Sequence, residues 1–485
     1  MNSLAKNSVY NIFYKLLNIV FPLLTSAYVA RILLPDGVGK VAYALNIVQY
    51  FLLVAALGLP NYGTREIARV RDDRNKLNSL FSELFIINAI STTICILAYY
   101  SLISYLPVAK ANKTLYNLIG LCILLNYINV DCFFQGTEEY KYITIRSTVI
   151  KVLSLIAVFL FVNDVNDYIF YAGISCVAIA GNNILNIIGL IKKKIKISFK
   201  RLNITSHLKP VLILLCTTLS IELYTLFDTT MIGVLCDDAA VGYYTNSMRI
   251  VKTVIALIAA VGGVLLPRLS MYYSNGEIDK CKETVNKVLN LMLFFIIPAG
   301  VGIGFCASEI IILMYGKAFS PAILTLQIGS LLVYVLGLSN LFGTQILLTF
   351  KDEKKLLIAT IIGAVSNLVM NYFFIKLFAQ NGAVVASIIS ELLVTLITLF
   401  YASKHIKISI SKKGLLSSVI STIIMIIFIL ILKIIIKNLY VLLALEVIIG
   451  FSVYFVMALI TKNPALYEAI NAMKQIIKPD RNNSV

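Results

Sequence analysis

Apolar stretches of about 20 residues recur from Val9 to Ile460, with short polar loops between them. A helix of that length crosses the hydrocarbon core of a bilayer. The runs are continuous, as in Val419 to Leu432 (VISTIIMIIFILIL), without the apolar/polar alternation of an outer-membrane strand. Backbone groups in hydrocarbon must be satisfied within the segment, so helices are expected throughout. The pattern predicts an all-α polytopic membrane protein with about 14 transmembrane helices. Their expected positions are about residues 8–32, 40–60, 80–106, 115–135, 146–163, 168–191, 210–232, 241–266, 288–314, 322–349, 356–377, 382–403, 414–436 and 440–461. No soluble domain, low-complexity linker or large extracytoplasmic loop is expected. The first apolar segment is too long for a signal peptide and runs on into a second span.

The second half repeats the first faintly. Asp36-Gly-Val-Gly39 opens one span and Asp238-Ala-Ala-Val-Gly242 opens another, an offset of 203 residues from Gly39 to Gly242. At that offset Asn46 falls on Arg249, Val48 on Val251 and Gln49 on Lys252. Gln135-Gly-Thr-Glu-Glu-Tyr-Lys141 likewise resembles Thr349-Phe-Lys-Asp-Glu-Lys-Lys355. Six spans per unit is an even number, so the repeats share one orientation, a transporter device with its substrate site at the repeat interface. The expected division is a six-helix lobe over 1–200, a second over 201–410, two additional helices over 411–461 and a cytoplasmic tail over 462–485.

Composition agrees: the 485 residues are 59% hydrophobic, and mean hydropathy is +0.88, against about 45–50% apolar in soluble domains. The net charge of +18 suggests nucleic acid at first sight. The basic residues lie mostly in alternate loops instead, about 30 on one side against about 8 on the other. That asymmetry predicts cytoplasmic N- and C-termini and no nucleic-acid partner. Arg65, Arg69 and Arg71 belong to the cytoplasmic set and are most simply topogenic; Lys141 and Arg146 are counted in the same set of loops. The eight cysteines lie mostly in apolar segments, without CxxC, and read as small buried hydrophobes. His207 and His405 stand alone in basic loops, so no metal and no cofactor is expected.

Polar residues inside the spans carry the functional signal. The first span sets Asn7, Asn11, Lys15, Asn18, Pro22 and Thr25 on one helical face. Lys15 is near enough to the span's end to snorkel; the asparagine stripe is harder to explain by packing. Thr245, Arg249 and Lys252 share a face of the eighth span, with Lys252 near the midplane. Two like charges one turn apart cost about 5–7 kcal/mol on insertion scales, tolerable in a watery cavity or beside an anion. Structural ion pairing is the competing explanation, with Glu222 and Asp228 on the seventh span as natural partners. Lys151 with Ser147 and Ser154, and the acids Asp131, Glu309 and Glu391, are weaker candidates. No GxxxxGK[ST], GxSxG or HExxH occurs, so neither a nucleotide site nor a catalytic centre is expected.

Asn7-Ser-Val-Tyr-Asn11, Phe21-Pro-Leu-Leu-Thr-Ser-Ala-Tyr-Val-Ala-Arg31, Leu34-Pro-Asp-Gly-Val-Gly39 and Gly58-Leu-Pro-Asn-Tyr-Gly-Thr-Arg-Glu-Ile-Ala-Arg69 resemble the Wzx-type polysaccharide flippases. So does Arg71-Asp-Asp-Arg-Asn-Lys76, leading into Leu80-Phe-Ser-Glu-Leu84. These belong to the multidrug/oligosaccharidyl-lipid/polysaccharide exporter superfamily. The resemblance implies two pseudo-symmetric, MATE-like six-helix lobes around a central cavity, with two extra C-terminal helices. It implies a non-enzymatic flippase of the bacterial cytoplasmic membrane, carrying undecaprenyl-diphosphate-linked oligosaccharide to the outer leaflet for surface polysaccharide, such as O-antigen. Polymerase and ligation machinery would be its partners besides the lipid bilayer. Arg249, Lys252 and Lys15 would then contact the head group electrostatically. Asn11, Asn18, Asn46, Gln49 and Thr245 would offer a polar cavity face, and Glu222 or Asp228 would couple an ion. A cation-coupled exporter of drugs or other small molecules with the same architecture is the alternative; it would expect acidic residues to dominate the cavity. A membrane glycosyltransferase is a third reading. It would need a long external loop or a catalytic carboxylate pair, and Asp237-Asp238 looks more like a turn.

Overall fold

The computed structural model describes residues 3–197, 202–263 and 265–477. They form two compact units, Met1–Thr245 and Asn246–Val485. This grouping is by contact, whereas the expected lobe limits at 200 and 410 are read from sequence repeats. Among the described residues nine helices are long and apolar enough to cross a membrane, and none of the described secondary structure is strand.

The first unit holds α1 (Ser3–Ala56), α2 (Leu59–Val70), α3 (Arg74–Tyr105), α4 (Pro107–Ala111), α5 (Lys113–Leu125), α6 (Asp131–Gly136), α7 (Tyr140–Phe161), α8 (Tyr168–Lys192) and α9 (Ile204–Leu235). The division falls within α10 (Asp238–Gly263). Helix α1 is the spine of this unit, packing against α3, α5, α7, α8 and α9. It contains the first two expected spans, broken at Leu34, whose φ of 57° lies in the left-handed region. Pro35 follows at once; it cannot donate a helical hydrogen bond, and it disfavours helical geometry in the residue before it. The break therefore sits here, and Pro22 leaves its neighbours' backbone helical.

The second unit continues with α11 (Leu265–Ser274), α12 (Ile278–Phe305), α13 (Ala307–Tyr315), α14 (Ala322–Gly329), α15 (Leu332–Ser339), α16 (Glu353–Ser403), α17 (Lys412–Ile435), α18 (Leu439–Ile460) and α19 (Pro464–Ile477). Helix α16 again merges two expected spans, broken at Ala379 with φ 47°. Three expected continuous spans are interrupted. That over 115–135 loosens at 126–130, that over 288–314 breaks at Cys306, and that over 322–349 divides into α14, α15 and the π-helical stretch Asn340–Leu347. Apolarity reports burial in lipid or protein, and does not distinguish a straight helix from a jointed one.

Several helices begin before their apolar run. Asp73 caps α3 by accepting from the amides of Asn75 and Lys76 at 3.1 and 3.2 Å, so Arg74 and Lys76 lie in the first turn instead of a loop. Those bonds, the Lys76 amide foremost, hold its carboxyl below the usual 3.8. Helix α2, expected as loop, carries Arg65 and Arg69 on an amphipathic helix whose buried face holds Tyr62 and Ile67. The segment expected as a tail contains α19.

Helix α17 buries Gly414, Ser417, Ser418, Ser421 and Thr422 and exposes Leu416, Ile423, Ile427 and Ile434. Small residues let helices approach closely, with Met425 and Ile429 buried beside them, while other large apolar side chains lie on the exposed face. The Asn463 amide nitrogen lies 3.1 Å from the Gly414 carbonyl and from the Ser417 and Ser418 hydroxyls, locking α17 to the end of α18.

The two repeated glycine turns meet each other within the first unit. A Cβ on Gly39 would collide with the Asp238 carbonyl, and one on Gly242 with the Pro35 carbonyl. Pro35 and Asp238 are separated by the same offset of 203 as the glycines. The contact is thus reciprocal, as a local twofold requires. Gly39→Val and Gly242→Val should each destabilise the protein by about 1–3 kcal/mol through overpacking against backbone. Gly302→Ala, where an added Cβ meets nothing within 4 Å, is the control. Melting of the detergent-solubilised protein checks this; equal melting of all three variants would contradict the close contact.

Candidate functional site

Polar side chains inside the spans divide into those consumed by helix packing and those left with an unspent charge. Asn46 is buried, and its amide donates to the Leu226 carbonyl at 3.1 Å and the Thr230 hydroxyl at 2.8 Å. The same hydroxyl meets Tyr50 at 2.9 Å, so α1 is stitched to α9. Asp228, also buried, accepts from the Tyr244 hydroxyl at 2.6 Å. Thr245 and Thr25 donate to carbonyls of their own helices. Gln49 is half-buried, and Glu222 is exposed.

Asn18 and Lys151 come together. The Lys151 ammonium donates to the Asn18 side-chain oxygen and lies 6.0 Å from the centre of the Phe21 ring. Lys151 is only 8% exposed, and no carboxylate pairs with it among the described residues. A cation held by one amide and an aromatic face is stabilised far less than one in an ion pair. Ser147 and Ser154, one turn either side, are buried beside it on α7. The side chains of Lys15 and Asn11 lie outside the described residues. In the second unit Arg249 is half-buried and donates to Asn246 at 3.2 Å, while Lys252 on the next turn is exposed.

Arg146 was expected with the cytoplasmic basic loops, at the very start of a span. It is 3% exposed instead, donating to Asp131 at 3.0 Å and to the Asn186 side-chain oxygen. Asn186 also donates to Asp131, at 2.8 Å. Helix α7 starts at Tyr140, six residues before the apolar run, and this carries Arg146 inward. The two histidines expected to stand alone are each bound. His207 lies 2.7 Å from Glu83 and 2.6 Å from the Tyr62 hydroxyl. His405 lies 2.5 Å from Asp352 and stacks on Phe350. Lys355, then His405, hold the Asp352 carboxyl below its usual range. Among the described residues no group of three or more His, Cys, Asp or Glu could hold a metal ion.

Sequence reading passed over Glu446, which is 1% exposed on α18. A lone acid within Leu439–Ile460 was the available signal. Its neighbours Glu309 and Lys433 are 137 and 13 residues away in sequence, so spacing could not assemble the cluster.

Jointed apolar helices with polar residues and cations turned inward define a polytopic membrane protein, and its relatives are transporters and flippases. The polysaccharide biosynthesis protein family matches residues 4–273, more than half of the chain, and the MatE family matches residues 214–373. The chain belongs to the polysaccharide biosynthesis protein family, and its likeness to Wzx-type members of the multidrug/oligosaccharidyl-lipid/polysaccharide superfamily holds. A protein described as an O-antigen transporter from Escherichia coli (strain K12) is 23% identical over 416 residues, covering 83% of this chain and 97% of that protein. The lipid II flippase MurJ of Bacillus subtilis (strain 168) is 28% identical over 183 residues, 35% of this chain and 33% of that protein. In fold, the chain matches the lipid II flippase MurJ in an inward closed conformation with a TM-score of 0.74, at 18% identity over 94% of this chain and 98% of that one. An inward-facing multidrug resistance MATE transporter matches with a TM-score of 0.63, at 14% identity over 79% of this chain and 93% of that one.

The triad around buried Arg146, with Asp131 partly exposed, gives a stability prediction. Asp131→Ala leaves Arg146 buried with Asn186 alone and should cost about 1–3 kcal/mol, less than for a fully buried pair because Asp131 is partly exposed, whereas Arg146→Met should cost less. Membrane abundance and melting of the two variants check the order; the reverse order would show that Asp131 does not hold Arg146.

Proposed function

We propose that this protein is a flippase that moves an undecaprenyl-diphosphate-linked oligosaccharide repeat unit from the cytoplasmic to the outer leaflet of the bacterial cytoplasmic membrane. Transport of a lipid-linked glycan is supported by the family matched over residues 4–273 and by relatives described as O-antigen transporters and lipid II flippase. That family match is the observation on which the proposal chiefly rests. The orientation follows the basic loops, with both termini cytoplasmic.

The chemistry fits the cargo. A diphosphate carries charge that hydrocarbon opposes strongly, and fixed cations along the path lower that barrier. Arg249, Lys252 and Lys15 are the proposed head-group contacts. Lys151 joins them, because it is buried, bonded to the exposed Asn18, and paired with no carboxylate among the described residues. Asn11, Asn18 and Gln49 provide hydrogen bonds for sugar. Asn46 and Thr245 do so only by giving up the bonds described above, and Asp228 couples an ion only by parting from Tyr244. Glu222 remains the more accessible candidate for coupling. The repeat lobes over 1–200 and 201–410 would rock in alternating access while the prenyl tail stays in lipid. Polymerase and ligation machinery would receive the product. The MatE match over 214–373 favours a second reading, a cation-coupled exporter of small molecules.

Complementation of a deletion strain tests the assignment. The Arg249→Ala/Lys252→Ala double variant should reach the membrane normally yet restore surface polysaccharide at least about tenfold less well, the loss expected for charge-assisted contacts. Lys151→Met should also impair export while melting no lower than wild type, since removing an unpaired buried charge relieves the fold. Full export by both variants would refute the cationic path.

A further inference from the structure

The second unit contains a cavity of about 470 Å³ that is not part of the proposed cationic path. Its walls are apolar and aromatic, with Phe295, Phe451, Tyr454 and Phe455 among them, and Glu446 is its one acidic residue. Glu446 lies seven residues into α18, about 10 Å from the helix start. Both its carboxylate oxygens are buried with no hydrogen-bond partner. The Lys433 ammonium stands 3.7 Å away, but it is bonded at 2.8 Å to both oxygens of Glu309 and to the Phe305 carbonyl. The thiol of Cys306 is the remaining polar neighbour. One cation on α17 therefore faces two buried carboxyl groups, from α13 and α18; with both ionised, the cluster is one positive charge short.

We propose that this cavity binds a lipophilic monocation, its ammonium-like centre against Glu446 and its apolar body filling the aromatic chamber. The missing charge is single, which disfavours a divalent ion. A bare metal ion would need several oxygen or nitrogen ligands, and no such group exists among the described residues. The apolar walls disfavour a hydrated ion and suit a cation whose charge is spread over an organic body, with aromatic faces adding cation–π attraction. Phe451 and Val447 line the chamber and are themselves 63% and 59% exposed, so its mouth lies on a surface that the span pattern assigns to lipid. A lipophilic cation partitions there. The inference does not depend on the flippase assignment.

Equilibrium binding to the purified full-length protein in detergent tests it, using tetraphenylphosphonium and the smaller tetrabutylammonium as cations and tetraphenylborate as an anion of the first one's shape. At least one cation should bind saturably at one site, and the anion should not. Glu446→Gln should weaken cation binding at least about tenfold, the effect of losing one charge-assisted contact. Gly302→Leu keeps Glu446 and should also abolish binding by filling the chamber, since an added Cβ there meets nothing within 4 Å. Melting within a few degrees of wild type shows that both variants are folded. Equal binding of cation and anion would mean that the chamber accepts any apolar body, such as a lipid chain, and would overturn the proposal. No saturable cation binding, or cation binding unchanged in Glu446→Gln, would overturn it too.

Discussion

Hydrocarbon offers no hydrogen-bond partner, and nearly every feature of this chain follows from that. Backbone groups are satisfied within helices. Polar side chains must find partners in the protein, and they do so across long sequence distances. Asn46 reaches Leu226 and Thr230, Arg146 reaches Asp131 and Asn186, and Asn463 reaches Gly414. These bonds hold helices together where the hydrophobic effect cannot, because lipid tails are as apolar as leucine. Groups that escape this rule stand out against it: Lys151 is held by an amide, and Glu446 receives no hydrogen bond.

The same constraint explains the joints. A helix that turns back must release several carbonyls and amides, so the chain turns where a proline or a glycine allows it. Leu34-Pro35 breaks α1, and the backbone approach at Gly39 and Gly242 leaves no room for a side chain. Because each glycine meets the counterpart of the other's neighbour, the internal repeat appears as a physical contact. A second joint at Ala379 is tied by the Thr325 hydroxyl, 2.7 Å from the Asn381 side-chain oxygen.

Much of the fold was legible in the sequence, because an apolar run of that length marks helix, whether straight or jointed. The Asp-Gly-Val-Gly39 turn and its echo at Gly242 were legible too, since glycine is informative where backbones approach. Helix starts were not: Lys76 precedes its apolar run and Arg146 stands at the first position of its own, yet both lie inside helices, and charge marked them as loop. Partnerships were the least legible part. Nothing in the local sequence distinguishes Asn46, spent on α9, from Asn18, joined to Lys151, because each partner is more than 100 residues away. Glu446 was visible as a lone acid in an apolar run, but its neighbours Glu309 and Lys433 could not be assembled from spacing.

Leaflet-resolved analysis of lipid-linked oligosaccharide, in cells lacking this gene and in cells with it restored, tests the central claim most directly. The flippase assignment predicts accumulation of complete, undecaprenyl-diphosphate-linked repeat units in the cytoplasmic leaflet, relieved on restoration. A normal distribution between leaflets in the deletion strain would contradict it.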